Sequence, residues 1–337
     1  MRDDRIDILR FIGLSMIILA HVDPPGLLFQ LRNFDVPLMV LVSAMSFSLS
    51  YKADEPYPAY VWKRIKRLVF PVWCFLTVYF LAIAAFNPGS DELDSTTVIT
   101  SYGLLEGIGY VWIIRVFLLV ALISPLLFRW HQNTISNSRH FTLLALSFLI
   151  YEALRYCSLP YIQPGAGELV SAVLLYLIAY GLIFAIGLRI SRLSSRQLYT
   201  LALLSLGICL LAGGWLFLLH GEFTPTQSLK YPPSVYYFSY AVFVSVLLWT
   251  YSAYIDRYIE RLKLKPLVLF IARNSIWVYL WHIPVIKTVN THYLVKYLIA
   301  FSVAVTITYA QVKLVGHGLN HVKSDACRKN IKMIFTG

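Results

Sequence analysis

The first apolar segment of the sequence carries three residues that could do chemistry: Asp7, Arg10 and His21. A histidine can accept a proton near neutral pH, and an arginine can hold an anionic group. On a helix Arg10 and His21 lie on one face, separated by roughly 16 Å along the axis, with Asp7 within about 40° of His21. At this separation Arg10 and His21 share a face but cannot touch each other directly, and His21 is a candidate chemical residue. An interfacial arginine and a histidine at the outer boundary would each give the same pattern.

A basic run precedes the third apolar segment and contains Arg64 and Arg67. Side chains at i and i+3 point the same way on a helix, and two guanidinium groups can bind a phosphate group. Such runs are also typical of the positive charges that flank a membrane span on its cytoplasmic side. The pair is therefore either a candidate phosphate site or a topology signal.

Further polar and aromatic residues lie inside later apolar segments. Arg115 falls in the middle of the fourth segment, where it needs an acidic or aqueous partner, and Trp112 precedes it. His282 lies in the ninth segment, where it is either a hydrogen-bonded residue of the core or a residue of the site. Helix rise places His21 and His282 at one depth, roughly 22–24 Å from the cytoplasmic side. Trp112 falls at a similar level and Ser43 near the middle of the second segment, so several helices could share a site in the outer half of a bilayer.

The elements that must position these residues are long apolar segments. The 337-residue chain is 58% apolar and 14% charged, with a mean hydropathy of +0.66. These values exclude an ordinary water-soluble enzyme and a disordered chain. One membrane helix needs about 20 apolar residues, and the apolar runs predict an all-α polytopic membrane protein of about ten spans in one domain over residues 1–337. The predicted spans are 6–24, 34–51, 68–86, 107–128, 140–157, 168–188, 198–219, 234–254, 266–287 and 293–315.

Lysine and arginine distinguish the two ends of these spans. Most of the 29 basic residues fall on one side, which positive-inside bias makes the cytoplasmic one. Both termini are therefore predicted to be cytoplasmic, in a multi-pass protein of the inner or plasma membrane. The basic residues predicted on the outer side are Arg32, Arg155, Lys230, Lys287 and Lys296.

Other features exclude competing classes. The four cysteines are scattered without metal-ligand spacing, so we predict no metal site and no disulfide framework. The net charge of +12 is explained by the cytoplasmic loops of a membrane protein. No basic patch interleaves with base-stacking aromatic residues, so membrane lipids are expected partners and nucleic acid is not.

Five motifs, taken in order, resemble the acyltransferase-3 family of integral membrane acyltransferases, and together they cover about the whole chain. They are IDILRFIG followed by a histidine, VPL followed by serine, R-x-x-R running into RLVFPVW, the stretch YVWIIRVFLLVALISPLL, and NSIWVYLWHIPVI. The chain is most similar to the short members that O-acetylate sugars. It departs from the family where Ala44 stands for a usual glycine and Tyr110 for a frequent histidine, and Arg115 is not part of the pattern.

The resemblance implies transfer of an acyl group, acetyl by default, from acyl-CoA to a hydroxyl of a cell-envelope sugar or polysaccharide that could be lipid-linked. Acyl-CoA is then a substrate, and no bound cofactor is implied. In this hypothesis His21 is a general base or a transient acyl carrier, Asp7 and Arg10 organise the donor path, and Arg64 and Arg67 hold the CoA phosphates. The implied lining residues are Ser43, Trp112, Arg115, Asn274, Ser275 and His282.

Two other classes of protein stay open. A transporter or exporter of a polar envelope precursor could line its path with Arg10, Arg115, Glu168 and His282. The sequence shows no inverted repeat, which disfavours this alternative. A subunit of an envelope-polymer assembly complex without chemistry of its own would also fit the composition.

Overall fold

The computed structural model describes residues 3–51 and 54–336, and in this part of the chain the secondary structure is helical without a β-strand. Eight helical segments there are long and apolar enough to cross a membrane. The first predicted span is a helix of 17 residues, and the ninth is a pair of helices bent by 85°. The structure thus confirms an all-α, multi-pass membrane protein, but the ninth span is not one straight helix.

The chain forms two compact units, each assembled from separate stretches of the sequence. Unit 1 comprises Met1–Ile17, Pro25–Lys52 and Leu119–Val268, and unit 2 comprises Ile18–Pro24, Ala53–Leu118 and Leu269–Gly337. One domain over residues 1–337 stays a prediction. In chain order the helices are α1 (Asp4–Ala20), α2 (Gly26–Leu31), α3 (Asp35–Ser50), α4 (Tyr57–Phe86), α5 (Ser95–Tyr102), α6 (Trp112–Asn133), α7 (Asn137–Ser158), α8 (Ala166–Val170), α9 (Tyr176–Ile190), α10 (Ser195–His220), α11 (Val235–Arg261), α12 (Lys265–Arg273), α13 (Ser275–Thr288), α14 (Tyr293–Leu319) and α15 (Asp325–Thr336).

In unit 1, α3, α9 and α11 pack against one another around a buried apolar core. Helices α3 and α9 approach each other closely at Gly187, where an added Cβ would stand 2.7 Å from Cβ of Ala44 and 2.7 Å from the carbonyl oxygen of Leu41. Small residues allow helices in a membrane to approach this closely. The glycine on α9 therefore makes room for Ala44, which stands where the resemblance leads us to expect glycine.

In unit 2, α13 packs against α4 and α14, and the C-terminal helix α15 packs against the same two helices. The indole Nε1 of Trp277 donates to the carbonyl of Ile334 at 2.9 Å, and Nε2 of Gln311 donates to that of Phe335 at 2.7 Å. The last carbonyls of a helix have no partner within the helix. Side chains of α13 and α14 therefore satisfy the end of α15 and fix its position.

The bend between α12 and α13 occurs at Asn274. Its Nδ2 donates to the carbonyl of Phe270 at 2.7 Å, and its own carbonyl accepts the backbone N–H groups of Trp277 and Val278. The side chain thus satisfies the end of α12 while the backbone starts α13. The predicted span 266–287 is for this reason two helices, with Arg273 exposed at the break.

Candidate active site

Two histidines of unit 2 make the arrangement with the clearest chemical meaning. His21 lies just after the last residue of α1, and His282 lies fully buried in α13. Nδ1 of His21 stands 2.9 Å from Nε2 of His282, and the two rings are nearly parallel, with an interplanar angle of 17°. The structure thus brings together two residues that are 261 positions apart in the sequence.

The hydrogen bonds of His282 determine which nitrogens carry protons. Its Nδ1 is bonded to the carbonyl oxygen of Tyr279, which can only accept, so this nitrogen carries the proton. In neutral His282 the other nitrogen, Nε2, is then an acceptor, and Nδ1 of His21 must donate to it. The lone pair of neutral His21 consequently lies on Nε2, which is the position at which this residue can take up a proton.

Two tyrosines support the histidine pair, and sequence reasoning gave neither of them a role. The hydroxyl of Tyr279 donates to the carbonyl of Tyr110 at 2.5 Å. The Tyr110 ring meets the His21 ring edge-on, with centroids 4.8 Å apart. Burial raises the pKa of Tyr110, so its phenol stays protonated at neutral pH. The one available signal was that Tyr110 stands where the family often has histidine.

Charged groups of unit 2 hold the segment before α6 against α13. Nζ of Lys287 lies 2.9 Å from Oε1 of Glu92, and the Tyr79 hydroxyl donates to Oε2 of the same carboxylate at 2.5 Å. The Lys287 ammonium also stands 5.4 Å from the centroid of the Tyr110 ring. These contacts connect the 87–111 segment to the helix that carries His282. No sequence spacing signals the contacts of Lys287, because they join distant parts of the chain.

Arg115 and Trp112 lie in the first turn of α6. Nη1 of the buried Arg115 donates to the carbonyl of Leu104 at 3.3 Å, and Leu104 has a left-handed φ of 58°. Arg115 therefore anchors the loop that ends at Tyr110. Trp112 is half-buried and follows Tyr110 by two residues.

The predicted residues Asn274 and Ser275 lie at the start of α13. Asn274 is buried, and its side-chain amide donates to the carbonyl of Phe270 at the break between α12 and α13. Ser275 is the first residue of α13, on the same helical face as His282 and roughly 10 Å from it along the axis. Asn274 thus shapes the element, whereas Ser275 shares the face that carries the histidine.

Three predicted residues lie in unit 1. Nη1 of Arg10 donates to Oδ1 of Asp7 at 2.7 Å, and Nη2 donates to Oγ of Ser46 at 2.7 Å. The Asp7 carboxylate thereby balances a cation that would otherwise be costly within a membrane. Ser43, which the sequence suggested, instead donates its hydroxyl to the carbonyl of Met39 on its own helix at 2.8 Å.

The basic pair also lies in unit 2, but its setting differs from the prediction. Helix α4 begins at Tyr57, so Arg64 and Arg67 lie about two to three turns inside the helix rather than before it. The guanidinium of Arg64 stacks on the ring of Tyr60 at 4.8 Å, and Arg67 is exposed. The two residues share a helical face as predicted, but the start of the helix contributes nothing to an anion at this depth.

These features define a multi-pass membrane protein with a histidine pair suited to proton transfer. Residues 3–311 match the acyltransferase-3 family model, described as an acyltransferase domain. Because this match covers most of the chain, the protein belongs to the acyltransferase-3 family and is a membrane acyltransferase. Comparisons with curated proteins and with solved structures found no match. Family membership favours transfer chemistry over the transporter and assembly-subunit alternatives.

Proposed function

We propose that the protein transfers an acyl group, acetyl by default, from acyl-CoA to a hydroxyl of a cell-envelope sugar or polysaccharide. It acts as a multi-pass protein of the inner or plasma membrane, with both termini in the cytoplasm. The observation that carries this proposal is the hydrogen-bonded pair of His21 and His282 in a chain of an acyltransferase family.

His21 acts as the general base in this reaction. Its Nε2 takes the proton of the sugar hydroxyl while the hydroxyl oxygen attacks the thioester carbon. The resulting tetrahedral intermediate collapses, the carbon–sulfur bond breaks, and the proton on His21 passes to the departing sulfur. The products are an ester and free CoA. His282 stabilises the positive charge that His21 gains in between, because its Nε2 accepts the Nδ1 proton.

The other predicted residues bind the acyl-CoA donor or hold the elements of the site in position. Arg64 and Arg67 bind phosphates of CoA, and the paired Asp7 and Arg10 organise the donor path. Trp112, Ser275 and His282 line the reacting end in unit 2. Arg115 and Asn274 act through the loop and the helix break that they hold. Ser43 contributes to the packing of its helix in unit 1.

The direct test uses the full chain in lipid nanodiscs with acetyl-CoA labelled in the acetyl group. We expect release of CoA and transfer of label to glycan extracted from envelopes of cells that lack the gene. His21→Ala should abolish both while the amount of protein in the membrane stays constant. The matched control is His292→Ala, since His292 is an exposed histidine of the same unit. Full activity of the His21→Ala variant would refute the assignment of His21 as the general base.

A second measurement separates a base from an acyl carrier. The wild-type chain is incubated with labelled acetyl-CoA in the absence of glycan. Direct transfer leaves the protein unlabelled, whereas an acyl carrier gives label on the protein that the His21→Gln variant lacks. The general-base assignment is withdrawn if this covalent label forms and is then passed to added glycan.

The donor assignment is tested with Arg64→Ala and Arg67→Ala. A hydrogen bond to a charged group contributes about 1.5–3 kcal/mol, so each change should raise KM for acetyl-CoA roughly 10- to 150-fold. Lys63→Ala is the control, because Lys63 belongs to the same basic run but is ion-paired with Glu55. An unchanged KM for acetyl-CoA in both arginine variants would show that the pair does not bind CoA and only marks the cytoplasmic side of the membrane span.

A further inference from the structure

The C-terminal helix α15 lies after residue 311, where the match to the family model ends, and no step of the proposed transfer uses it. One face of α15 packs on other helices of unit 2. The ring of Phe335 stacks on that of Trp277 in α13, with centroids 6.1 Å apart and an interplanar angle of 15°. Nζ of Lys66 in α4 donates to Oδ1 of Asn330 at 2.9 Å. No large apolar side chain of α15 is exposed, so the chain itself covers the apolar face of this helix.

The opposite side of α15 is a basic face, formed by Arg328, Lys329 and Lys332. Helix geometry places these three residues within an arc of about 100°, and all three are exposed. Arg328 lies 3.8 Å from Asp325, which is also exposed. Lys329 and Lys332 have no carboxylate within ion-pair distance among the described residues. The basic face therefore presents an excess of positive charge to its surroundings.

The contact with α4 determines the depth of α15 in the membrane. Lys66 belongs to the basic run 63–67, which positive-inside bias places at the cytoplasmic edge of the span. The Lys66 ammonium lies 5.8 Å from the ring centroid of Trp62, a residue that is 51% exposed. Exposed tryptophans are enriched at the level of the lipid headgroups. Because Lys66 bonds to Asn330, α15 lies at this same level.

Position and charge together indicate what the basic face binds. Basic residues beside a membrane attract anionic lipids, and this attraction requires proximity because it falls off within a Debye length. The apolar face of α15 is packed on the protein and is not available for insertion into the lipid tails. Electrostatic attraction to headgroups is the interaction that the exposed side of the helix retains.

We propose that the basic face of α15 is a binding surface for the headgroups of anionic phospholipids on the predicted cytoplasmic side of the membrane. The phosphate groups of such lipids lie at the depth of Lys329 and Lys332 and supply the negative charge that these two residues lack. This surface is separate from the transfer reaction, so its test needs no acyltransferase activity.

The test titrates phosphatidylglycerol or phosphatidylcholine into the full chain in micelles of a neutral detergent. Native mass spectrometry then measures the association constant of the first bound lipid. Tighter binding of phosphatidylglycerol supports the proposal, and equal binding of the two lipids overturns it. Free glycerol 3-phosphate is added as a soluble counterpart of the headgroup. Displacement of phosphatidylglycerol at equal concentration would show that the surface takes a phosphate group rather than a lipid, which also overturns the proposal.

Variants assign the binding to the basic face. Each basic residue near an anionic membrane contributes roughly fivefold to binding, so Lys329→Gln with Lys332→Gln should weaken phosphatidylglycerol binding roughly 25-fold. Binding of phosphatidylcholine should stay constant, as should Tm in detergent alone, because both side chains are exposed. The matched control, Arg261→Gln with Lys263→Gln, removes the same charge from an exposed basic pair at the end of α11 in unit 1. Unchanged phosphatidylglycerol binding in the lysine variant, or an equal loss in the control, overturns the proposal.

A photoreactive lipid locates the bound headgroup without a substitution. The full chain is placed in phosphatidylcholine nanodiscs that contain a small fraction of phosphatidylglycerol with a diazirine on its headgroup. After illumination, crosslinked peptides are identified by mass spectrometry. We expect crosslinks in the peptides of residues 323–336. Crosslinks confined to other parts of the chain overturn the proposal.

Discussion

Replacement of His282 by leucine should slow acyl transfer while leaving the donor site intact. Nε2 of His282 accepts the Nδ1 proton of His21 at 2.9 Å, and a leucine of similar size has no acceptor. A donor left without its partner costs about 1–3 kcal/mol, and here the same acceptor also stabilises the protonated His21. At 1.36 kcal/mol for each tenfold change in rate, kcat should fall roughly 5- to 150-fold.

The assay measures kcat and KM for acetyl-CoA in nanodiscs. His282→Gln is the informative second variant, because a side-chain amide oxygen can accept the Nδ1 proton of His21. We expect kcat to decrease in the order wild type, glutamine variant, leucine variant, with KM for acetyl-CoA unchanged. His292→Leu serves as the control for loss of a histidine in the same unit.

Two outcomes would refute this reasoning. Equal kcat in the wild type and the leucine variant would show that His21 needs no partner at Nδ1. An equal loss in the glutamine and leucine variants, with a raised KM, would show that His282 serves packing rather than proton placement. The glutamine variant retains a polar group of similar reach in α13, so a folding defect of the leucine variant alone does not decide the question.

Two further predictions concern helix packing in unit 1 and the membrane topology. Gly187→Ala should lower Tm, because the added Cβ would overlap Ala44 and overpacking costs about 1–3 kcal/mol. Introducing Ala44→Gly into the same chain should restore part of the lost Tm. A double variant with no recovery of Tm would contradict the close contact between the two helices. In sealed, right-side-out vesicles a membrane-impermeant maleimide should label the exposed Cys157, predicted outside, but should label the exposed Cys327, predicted inside, only after permeabilisation. Labelling of Cys327 in sealed vesicles would reverse the predicted topology.

The apolar runs of the sequence predicted the helices of this protein because burial in a membrane demands long uninterrupted apolar segments. The same reasoning could not find the break at Asn274. The apolar run continues on both sides of this residue, and the bend depends on one amide side chain that bonds to the carbonyl of Phe270. A helix end satisfied by a single side chain leaves almost no trace in hydropathy.

The residues of the candidate site were likewise predicted only in part from the sequence. His21 and His282 could be singled out because an ionisable residue inside an apolar segment is rare and costly. Their supporting partners could not, since Tyr279 acts on His282 through a backbone carbonyl, and every residue type has one. Arg10 donates to Ser46 rather than to Ser43. The packing of α1 against α3 determines which of the two serines is within reach, and the sequence alone does not distinguish them.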